Sequence, residues 1–324
     1  MASFKCINII EDRTGNVLLS GINGFVPFNG ILAIVGGSGS GKSLFMKSMA
    51  GLTHDCCFEG EVCLKGSKLK FGDFDETISY NEYSDTCLSD NLSPFEILTF
   101  RAYLTGNYGQ RVDDIILNLL SNFYLVDVRE SSVSPWLRAG LSESKIRCLN
   151  IARDLVSPAE ILLFDDVLSG LDSLMTYDIL NKLRTTQKEQ NFSIILSINQ
   201  PTPRILEMFD QVLILGVHRE MSFFGSTADL QNFIGKIDRT YFTIRGFEIS
   251  PVDYFLNLIY DQHDMGENIG DDHHPHGSLS YGSLFKADPT FADLMETLKV
   301  KQHNQPTMGT YIALPTHFRK WTQQ

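Results

Sequence analysis

The chain has 324 residues, enough for one large domain or two ordinary ones with a core of their own. Its formal net charge of −12 argues against a nucleic-acid partner, because neutralising phosphates requires a basic face. Six cysteines show neither paired C-x-x-C spacing nor histidines at zinc-like intervals, which predicts free thiols in a reducing compartment. The sequence also lacks a signal-peptide core and any apolar run of about 18 residues, so we expect nothing in this chain to span a membrane.

Apolar runs in the sequence alternate between strand-like and helical spacing. Apolar residues recur at helical spacing between about residues 94 and 156. Strands are predicted at Phe4–Ile10, Val17–Leu19, Ile31–Val35, 61–64, Glu160–Phe164, Phe192–Ile198 and Gln211–Leu215, and a helix at Leu44–Ala50 that ends at Gly51. Apolar strands that alternate with helices predict an α/β fold with a mainly parallel sheet covered by helices.

The segment between the third strand and the first helix matches the phosphate-binding pattern G-x-x-x-x-G-K-[ST] at every position. Backbone N–H groups and the helix dipole converge on an anion at such a loop. Lys42 is then expected to reach the β- and γ-phosphates of a nucleoside triphosphate, and the Ser43 hydroxyl to ligate Mg²⁺. The alternative, a glycine-rich loop that only turns the chain, does not require the full motif. The predicted nucleotide-binding residues are Gly36, Gly37, Ser38, Gly39, Ser40, Gly41, Lys42, Ser43 and Leu44.

A second acidic element follows the buried run Ile161–Phe164. Asp165 lies at the carboxyl end of this strand, where a carboxylate beside the phosphate loop can hold Mg²⁺, usually through a water. Asp166 comes next, at the position where a hydrolase needs a base that orients the attacking water. We therefore predict ATP and Mg²⁺ as cofactors and a catalytic role for Asp166.

The next segment, Ser169-Gly170-Leu171-Asp172-Ser173, carries a resemblance. A strand that ends in acidic residues and runs into this loop resembles the nucleotide-binding domain of ATP-binding-cassette transporters. The likeness is strongest to subfamily G, the white and pleiotropic-drug-resistance type. Further similar stretches lie at residues 22–30, 198–201, 205–210, 223–225 and 250–254, so the resemblance covers most of residues 3–260.

The resemblance implies a P-loop (RecA-like) ATPase core with a mainly parallel sheet, an N-terminal antiparallel β portion and a helical subdomain at about residues 94–157. The nucleotide-binding domain would span residues 3–260. Residues 261–324 would form an extension that ends in a lead-in to a membrane domain. A Gly-, Pro-, His- and Asp-rich stretch at 266–280 lacks the regular spacing that fixes a metal site, which favours a solvated, mobile loop over a metal centre.

The resemblance also implies that ATP binds between two such domains placed head to tail. The loop Ser169, Gly170, Leu171, Asp172 would face the dimer partner, and the signature segment Leu141, Ser142, Glu143, Ser144, Lys145 would face the partner's phosphate loop. Family members carry two glycines where this chain has Glu143 and Ser144. Two like charges about 4 Å apart at an effective dielectric of about 20 repel by about 4 kcal/mol, which Lys145 would partly offset.

Other positions depart from the family in the same direction. Asp166 replaces a catalytic Glu, and Asn199 replaces a switch His that contacts the γ-phosphate; Asn can form hydrogen bonds but carries no proton to shuttle. The stretch at residues 80–85, where a glutamine loop is expected, has no Gln, and residues 9–12 offer no aromatic side chain for adenine. We therefore expect slow or asymmetric hydrolysis, with Asp166 and Asn199 as catalytic residues.

Three functions remain open at this point. The first is the energy-coupling domain of a membrane transporter at the cytoplasmic face of a membrane, in a homodimer or with a better-equipped nucleotide-binding partner. The second is a hydrolysis-poor regulatory subunit that dimerises with ATP. The third, a soluble translation or repair cassette, fits least, because those members usually carry two cassettes and need a basic face for RNA. The transported substrate does not follow from this sequence.

Overall fold

A computed structural model describes residues 1–53, 56–69, 77–82, 92–106, 110–133, 141–157, 159–239, 241, 250–268 and 281–303. The strands are β1 Ala2–Glu11, β2 Val17–Val26, β3 Ile31–Gly36, β4 Cys56–Leu64, β5 Ser67–Lys68, β6 Ile78–Glu82, β7 Ile161–Asp165, β8 Ser193–Ser197, β9 Gln211–Leu215 and β10 Met221–Gly225. The helices are α1 Lys42–Met49, α2 Pro94–Leu104, α3 Gln110–Asn122, α4 Glu143–Leu155, α5 Ser173–Gln190, α6 Pro203–Leu206, α7 Thr227–Ile237, α8 Pro251–Asn268, α9 Tyr281–Ala287 and α10 Pro289–His303, with a 3-10 turn at Val126–Val128.

Within the described residues, the larger sheet has six strands in the order β10-β9-β3-β8-β7-β6. Its neighbours from β9 to β6 pair in parallel, and only β10 runs antiparallel, against β9. Every residue of β3, β7 and β8 is buried, as expected for the central strands of a mainly parallel sheet. The predicted mainly parallel sheet is confirmed. Its parallel strands end together at one edge, and that edge holds the site.

The smaller sheet is antiparallel and has the strand order β2-β1-β4-β5, which confirms the predicted N-terminal β portion. Phe4 of β1 packs edge-on against Phe45 of α1, with ring centroids 5.3 Å apart. Because α1 begins at the phosphate loop, this contact anchors the loop's helix to the N-terminal sheet. Leu19 of β2 adds a second anchor, since a Cβ built on Gly41 would lie 2.7 Å from its Cδ2.

Helices α2, α3 and α4 form the predicted helical region. Its first helix begins at a capping box, in which Ser93 accepts from the Glu96 N–H and the Glu96 carboxylate accepts from the Ser93 N–H. A buried polar cluster joins this region to the central sheet. Asn81 of β6 donates through Nδ2 to the Asn150 carbonyl, 3.0 Å away, and to the Asp154 carboxylate of α4. Asn81 and Asp154 are each buried, so their pairing fixes α4 against the sheet edge.

The carboxyl-terminal helices pack on the β10 side of the sheet. Phe285 of α9 lies 5.1 Å from Phe223 of β10, measured between ring centroids. The sequence analysis gave no strand at β6 or β10 and did not place α7 to α10. Helix α8 runs through residue 260, where the nucleotide-binding domain was expected to end.

Candidate functional site

A cavity of about 610 Å³ opens at the carboxyl edge of β3, β7 and β8. Most of the predicted nucleotide residues meet there, although they come from three separate strands. The residues that line the cavity are Gly36, Gly37, Ser38, Gly39, Lys42, Ser43, Asp165, Asp166, Ser197, Asn199, Gln200, Asp253, Leu256, Asn257 and Tyr260. The remaining loop residues Ser40, Gly41 and Leu44 belong to the same loop and helix start but do not line the cavity.

The phosphate loop has a backbone conformation that requires glycine at two positions. Gly39 and Gly41 have φ values of 78° and 96°, a left-handed region in which a side chain is strained. Gly41 is the N-cap residue of α1, so the first N–H groups of this helix face the loop. Such a helix start attracts an anion.

Lys42 lies over the loop that precedes it. Its Nζ donates to the carbonyl oxygens of Gly36, at 2.7 Å, and Gly37, at 2.9 Å. Burial lowers the pKa of Lys42, while the nearby carboxylates of Asp166 and Asp165 act in the opposite direction. The ammonium group therefore sits between the start of the loop and the acidic strand end, where it can bridge a terminal phosphate.

Asp165 is held by two hydroxyl groups that sequence reasoning missed. Ser197 at the end of β8 donates through Oγ to Asp165 Oδ1 at 2.6 Å, and Tyr80 of β6 donates to Oδ2 at 3.0 Å. The carboxylate is 2% exposed, and the two neighbouring strands fix its orientation. No local signal in the sequence pointed to Tyr80 or Ser197, because each depends on strand order.

Asp166 and Asn199 form a pair across the cavity. Asn199 donates through Nδ2 to Asp166 Oδ1 at 3.1 Å, so the two predicted catalytic positions contact each other. Asp166 has a φ of 56°, which is uncommon for a residue with a side chain and marks stored backbone strain. Burial raises the pKa of Asp166, and the adjacent charge of Asp165 raises it further.

The signature segment lies at the start of α4 and does not line this cavity. Ser142 is the N-cap residue of α4, and its Oγ lies 3.1 Å from Ser144 Oγ. Glu143 is paired one turn along, because Arg147 donates through a guanidinium N–H to Glu143 Oε1 at 2.8 Å. Lys145, which was expected to offset part of the repulsion between Glu143 and a triphosphate, lies on a different side of the helix from Glu143. Residues two apart do not face each other on a helix, and Lys145 pairs with Asp127 instead.

The predicted dimer-facing loop, Ser169 to Asp172, begins three residues after Asp166. Gly170 has a φ of 75°, and a Cβ at this position would lie 3.0 Å from the Arg147 guanidinium. Asp172 caps α5 by accepting a hydrogen bond of 2.8 Å from the Met175 N–H. Arg147 therefore links the start of the signature helix to this loop within one chain.

One wall of the cavity comes from α8, which the sequence analysis did not connect with the site. Asp253, Asn257 and Tyr260 line the cavity at positions i, i+4 and i+7 of this helix. Polar residues at that spacing share one helix face, and this was the available signal. Burial raises the pKa of Asp253.

Several expected features lie outside the described residues: the rest of the glutamine-loop region at 83–85, the polar stretch at 269–280 and the expected lead-in at 317–324. The cysteines within the described part, Cys6, Cys56, Cys57, Cys63 and Cys148, are free thiols. Over the same part of the chain, no three His, Cys, Asp or Glu side chains are grouped as a metal site.

Comparison with known proteins agrees with this geometry. The family model described as ABC transporter matches residues 19–169, which run from β2 through the loop after Asp166. Residues 19–169 are therefore similar to the domain that ABC transporters share. ABC transporter G family member 13 of Arabidopsis thaliana is 28% identical over 253 residues, 76% of this chain and 36% of that relative. ATP-binding cassette sub-family G member 5 of Homo sapiens is 30% identical over 223 residues, 67% of this chain and 33% of that relative.

The ABC transporter domain accounts for only part of such relatives. ABC transporter G family member 3 of Dictyostelium discoideum is 28% identical over 264 residues, and the match covers 18% of its length. The chain therefore spans between about a fifth and about a third of these proteins. None of the helices in the described ranges is both long and apolar enough to cross a bilayer.

Proposed function

We propose that this chain is the ATP-binding, energy-coupling domain of an ABC-type membrane transporter of the G type. The observation that carries the proposal is the meeting of the complete phosphate loop, Lys42 and the strand-end carboxylate Asp165 in one cavity. Its volume of about 610 Å³ lies in the range typical of small-molecule sites. The similarity to named ABC transporter G family members supports the same proposal.

The donor set fits Mg²⁺ with a triphosphate. Ser43 offers a hydroxyl and Asp165 a carboxylate, the hard oxygen ligands that Mg²⁺ prefers, and both line the cavity. Lys42 and the N–H groups at the start of α1 offer the positive groups for the phosphates. Bound Mg²⁺ would neutralise charge on the phosphate oxygens. In this proposal the loop of this chain binds and orients the nucleotide.

Hydrolysis would rest on Asp166 and Asn199. Asp166 would accept a proton from, or orient, the attacking water, and Asn199 would hold Asp166 by the hydrogen bond that it donates. The carboxyl group of Asp is one methylene shorter than that of Glu, and misplacement by about 1 Å can cost on the order of 10²-fold in rate. We therefore propose slow turnover, with closure of the site dependent on a partner.

The proposed partner is a second nucleotide-binding domain, either another copy or a better-equipped one, at the cytoplasmic face of a membrane. Glu143 would approach that partner's triphosphate from the signature segment. Arg147 forms an ion pair with Glu143, so the repulsion between Glu143 and the triphosphate is smaller than that of an isolated carboxylate. A membrane domain would supply the substrate path, and the substrate remains unassigned.

A second candidate function is a regulatory nucleotide-binding subunit that closes on ATP with little turnover. The Asp166–Asn199 hydrogen bond favours this regulatory function, because the Asn199 amide competes with the attacking water for Asp166 Oδ1. Both candidates require the same ATP site. The turnover number of the isolated chain and of its dimer separates them.

The experiment is an equilibrium titration of the full chain with Mg²⁺–ATP, comparing Lys42→Ala with the unaltered protein. Loss of the ammonium removes charge-assisted hydrogen bonds of about 1.5–3 kcal/mol, so affinity should fall at least about tenfold. The matched control is Lys47→Ala on the same helix, whose ammonium pairs with Glu82 and does not line the cavity. Unchanged affinity in Lys42→Ala, or an equal loss in both variants, would refute the assignment.

A further inference from the structure

Helix α8 forms a wall of the nucleotide cavity that no phosphate-binding motif describes. Its inward face carries three polar side chains, Asp253, Asn257 and Tyr260. One carboxylate, one amide and one phenol therefore line the same cavity as Lys42 and Asp166. Leu256 adds the apolar part of the same wall.

The opposite face of α8 is anchored, so this wall has a defined position. Phe255 packs edge-on against Phe233 of α7 at 5.8 Å and against Tyr281 of α9 at 5.6 Å, both measured between ring centroids. At the start of α8, Ser250 donates through Oγ to the Pro201 carbonyl at 3.2 Å. Pro201 follows Asn199 by two residues, so the wall is joined to the catalytic edge of the cavity.

Tyr260 reaches the phosphate loop itself. A Cβ built on Gly37 would lie 1.3 Å from the Tyr260 hydroxyl oxygen and 2.5 Å from its Cζ. The phenol therefore fills the space over the second loop residue, and only glycine leaves room for it there. Gly37 does not have a positive φ, so this steric fit, and not backbone conformation, is what restricts the position.

This contact involves the loop residue that Lys42 also binds. Lys42, the residue that reaches the β- and γ-phosphates in loops of this type, donates to the carbonyl of the same Gly37 at 2.9 Å. Asp166 and Asn199, the proposed hydrolytic pair, line the same cavity. A γ-phosphate bound by Lys42 would therefore lie close to the hydroxyl above Gly37.

We propose that Tyr260 is a specificity-determining residue of the nucleotide site, whose hydroxyl donates a hydrogen bond to the γ-phosphate and so distinguishes triphosphate from diphosphate. This inference rests on the proposed ATP-binding function and adds to it a residue supplied in cis from outside the motif-bearing loops. Asn257, one turn earlier on the same face, offers a second donor. Asp253 carries no donor when ionised.

The test compares affinities for the Mg²⁺ complexes of ADP and of the non-hydrolysable β,γ-imido analogue of ATP, measured on the full chain. Tyr260→Phe removes only the hydroxyl, so the affinity for the imido analogue should fall about tenfold, as for one hydrogen bond to a charged group, and that for ADP should change less than about twofold. The matched control is Tyr254→Phe on the same helix, whose hydroxyl donates to Asp238 at 2.6 Å outside the cavity. It should leave the ratio of the two affinities unchanged.

A second measurement tests the contact with the loop. Gly37→Ala should lower the affinity for the imido analogue in the otherwise unaltered chain. In a chain that already carries Tyr260→Ala, adding Gly37→Ala should lower that affinity much less. Gly36→Ala is the contrasting variant, because its Cβ would lie 2.7 Å from the Leu215 carbonyl oxygen, a clash that Tyr260→Ala cannot relieve.

The outcomes separate the two proposals. If the unaltered chain binds the imido analogue but Tyr260→Phe changes both affinities equally, or neither, the role of Tyr260 is refuted while ATP binding stands. Equal rescue of Gly36→Ala and Gly37→Ala by Tyr260→Ala would likewise count against it. Absence of nucleotide binding by the unaltered chain would refute the ATP site itself.

Discussion

Ser197→Ala is expected to be the most destabilising conservative change at the edge of the sheet. Ser197 is 1% exposed and makes two hydrogen bonds, one to the Asp165 carboxylate at 2.6 Å and one from the Asp166 N–H at 2.8 Å. Loss of a hydrogen bond to an ionised group costs about 1.5–3 kcal/mol, and a buried donor left without its acceptor costs about 1–3 kcal/mol. Because the two bonds share one hydroxyl and are not independent, we expect the free energy of unfolding to fall by about 3 kcal/mol in total. That is a large part of the about 5–15 kcal/mol by which native proteins are usually stable.

The assay is urea unfolding of the full chain, in which the midpoint should fall and the slope should stay constant. Ser193→Ala on the same strand is the control, because its hydroxyl makes one bond of 3.0 Å to the neutral Pro27 carbonyl and should cost about 1 kcal/mol. Tyr80→Phe removes one partly buried bond to Asp165 and should fall between the two. A cost for Ser197→Ala no greater than that of the Ser193 control would show that Asp165 does not need the hydroxyl, and the reasoning would fail.

Three further outcomes follow from the site. Asp166→Glu combined with Asn199→His should raise the turnover number, and unchanged turnover in a chain that still dimerises with ATP would contradict the proposed cause of slow hydrolysis. Glu143→Gly should strengthen ATP-driven homodimers in sedimentation, whereas equally tight dimers from both proteins would show that the carboxylate is tolerated. Burial raises the pKa of Asp253 in the folded state, so its ionised carboxylate destabilises the fold. This destabilisation is absent below the unfolded pKa near 3.8, and stability is lost as the pH rises through the folded pKa. Asp253→Asn should therefore be more stable than the unaltered chain at pH 7 and lose that advantage towards pH 4, and an equal gain from Asp12→Asn in an exposed turn would point to net charge instead.

Relations between residues close in the chain could be predicted from the sequence. The phosphate loop lies between one strand and one helix, and its glycines and Lys42 form a contiguous pattern, so nothing distant was needed to find it. Asp165 follows a buried run, and the end of a parallel strand is where a ligand site forms. The pairing of Glu143 with Arg147 was also open to sequence reasoning, because positions i and i+4 face each other on a helix and i and i+2 do not.

The other contacts of the site depend on which strands and helices are neighbours in the fold. Strand β6, Ile78–Glu82, is the last strand of the sheet within the described residues and lies beside β7. Its mixed polar and apolar sequence gave too weak a strand pattern to predict, yet it brings Tyr80 to Asp165. Ser197 reaches the same carboxylate because β8 lies beside β7. Tyr260 comes from a helix far along the chain, and its place above Gly37 depends on aromatic packing on the other face of that helix. The sequence by itself determined which loop has the phosphate-binding pattern. Only tertiary packing determined which side chains orient the Asp165 carboxylate and lie above Gly37, because those contacts join segments that no local pattern connects.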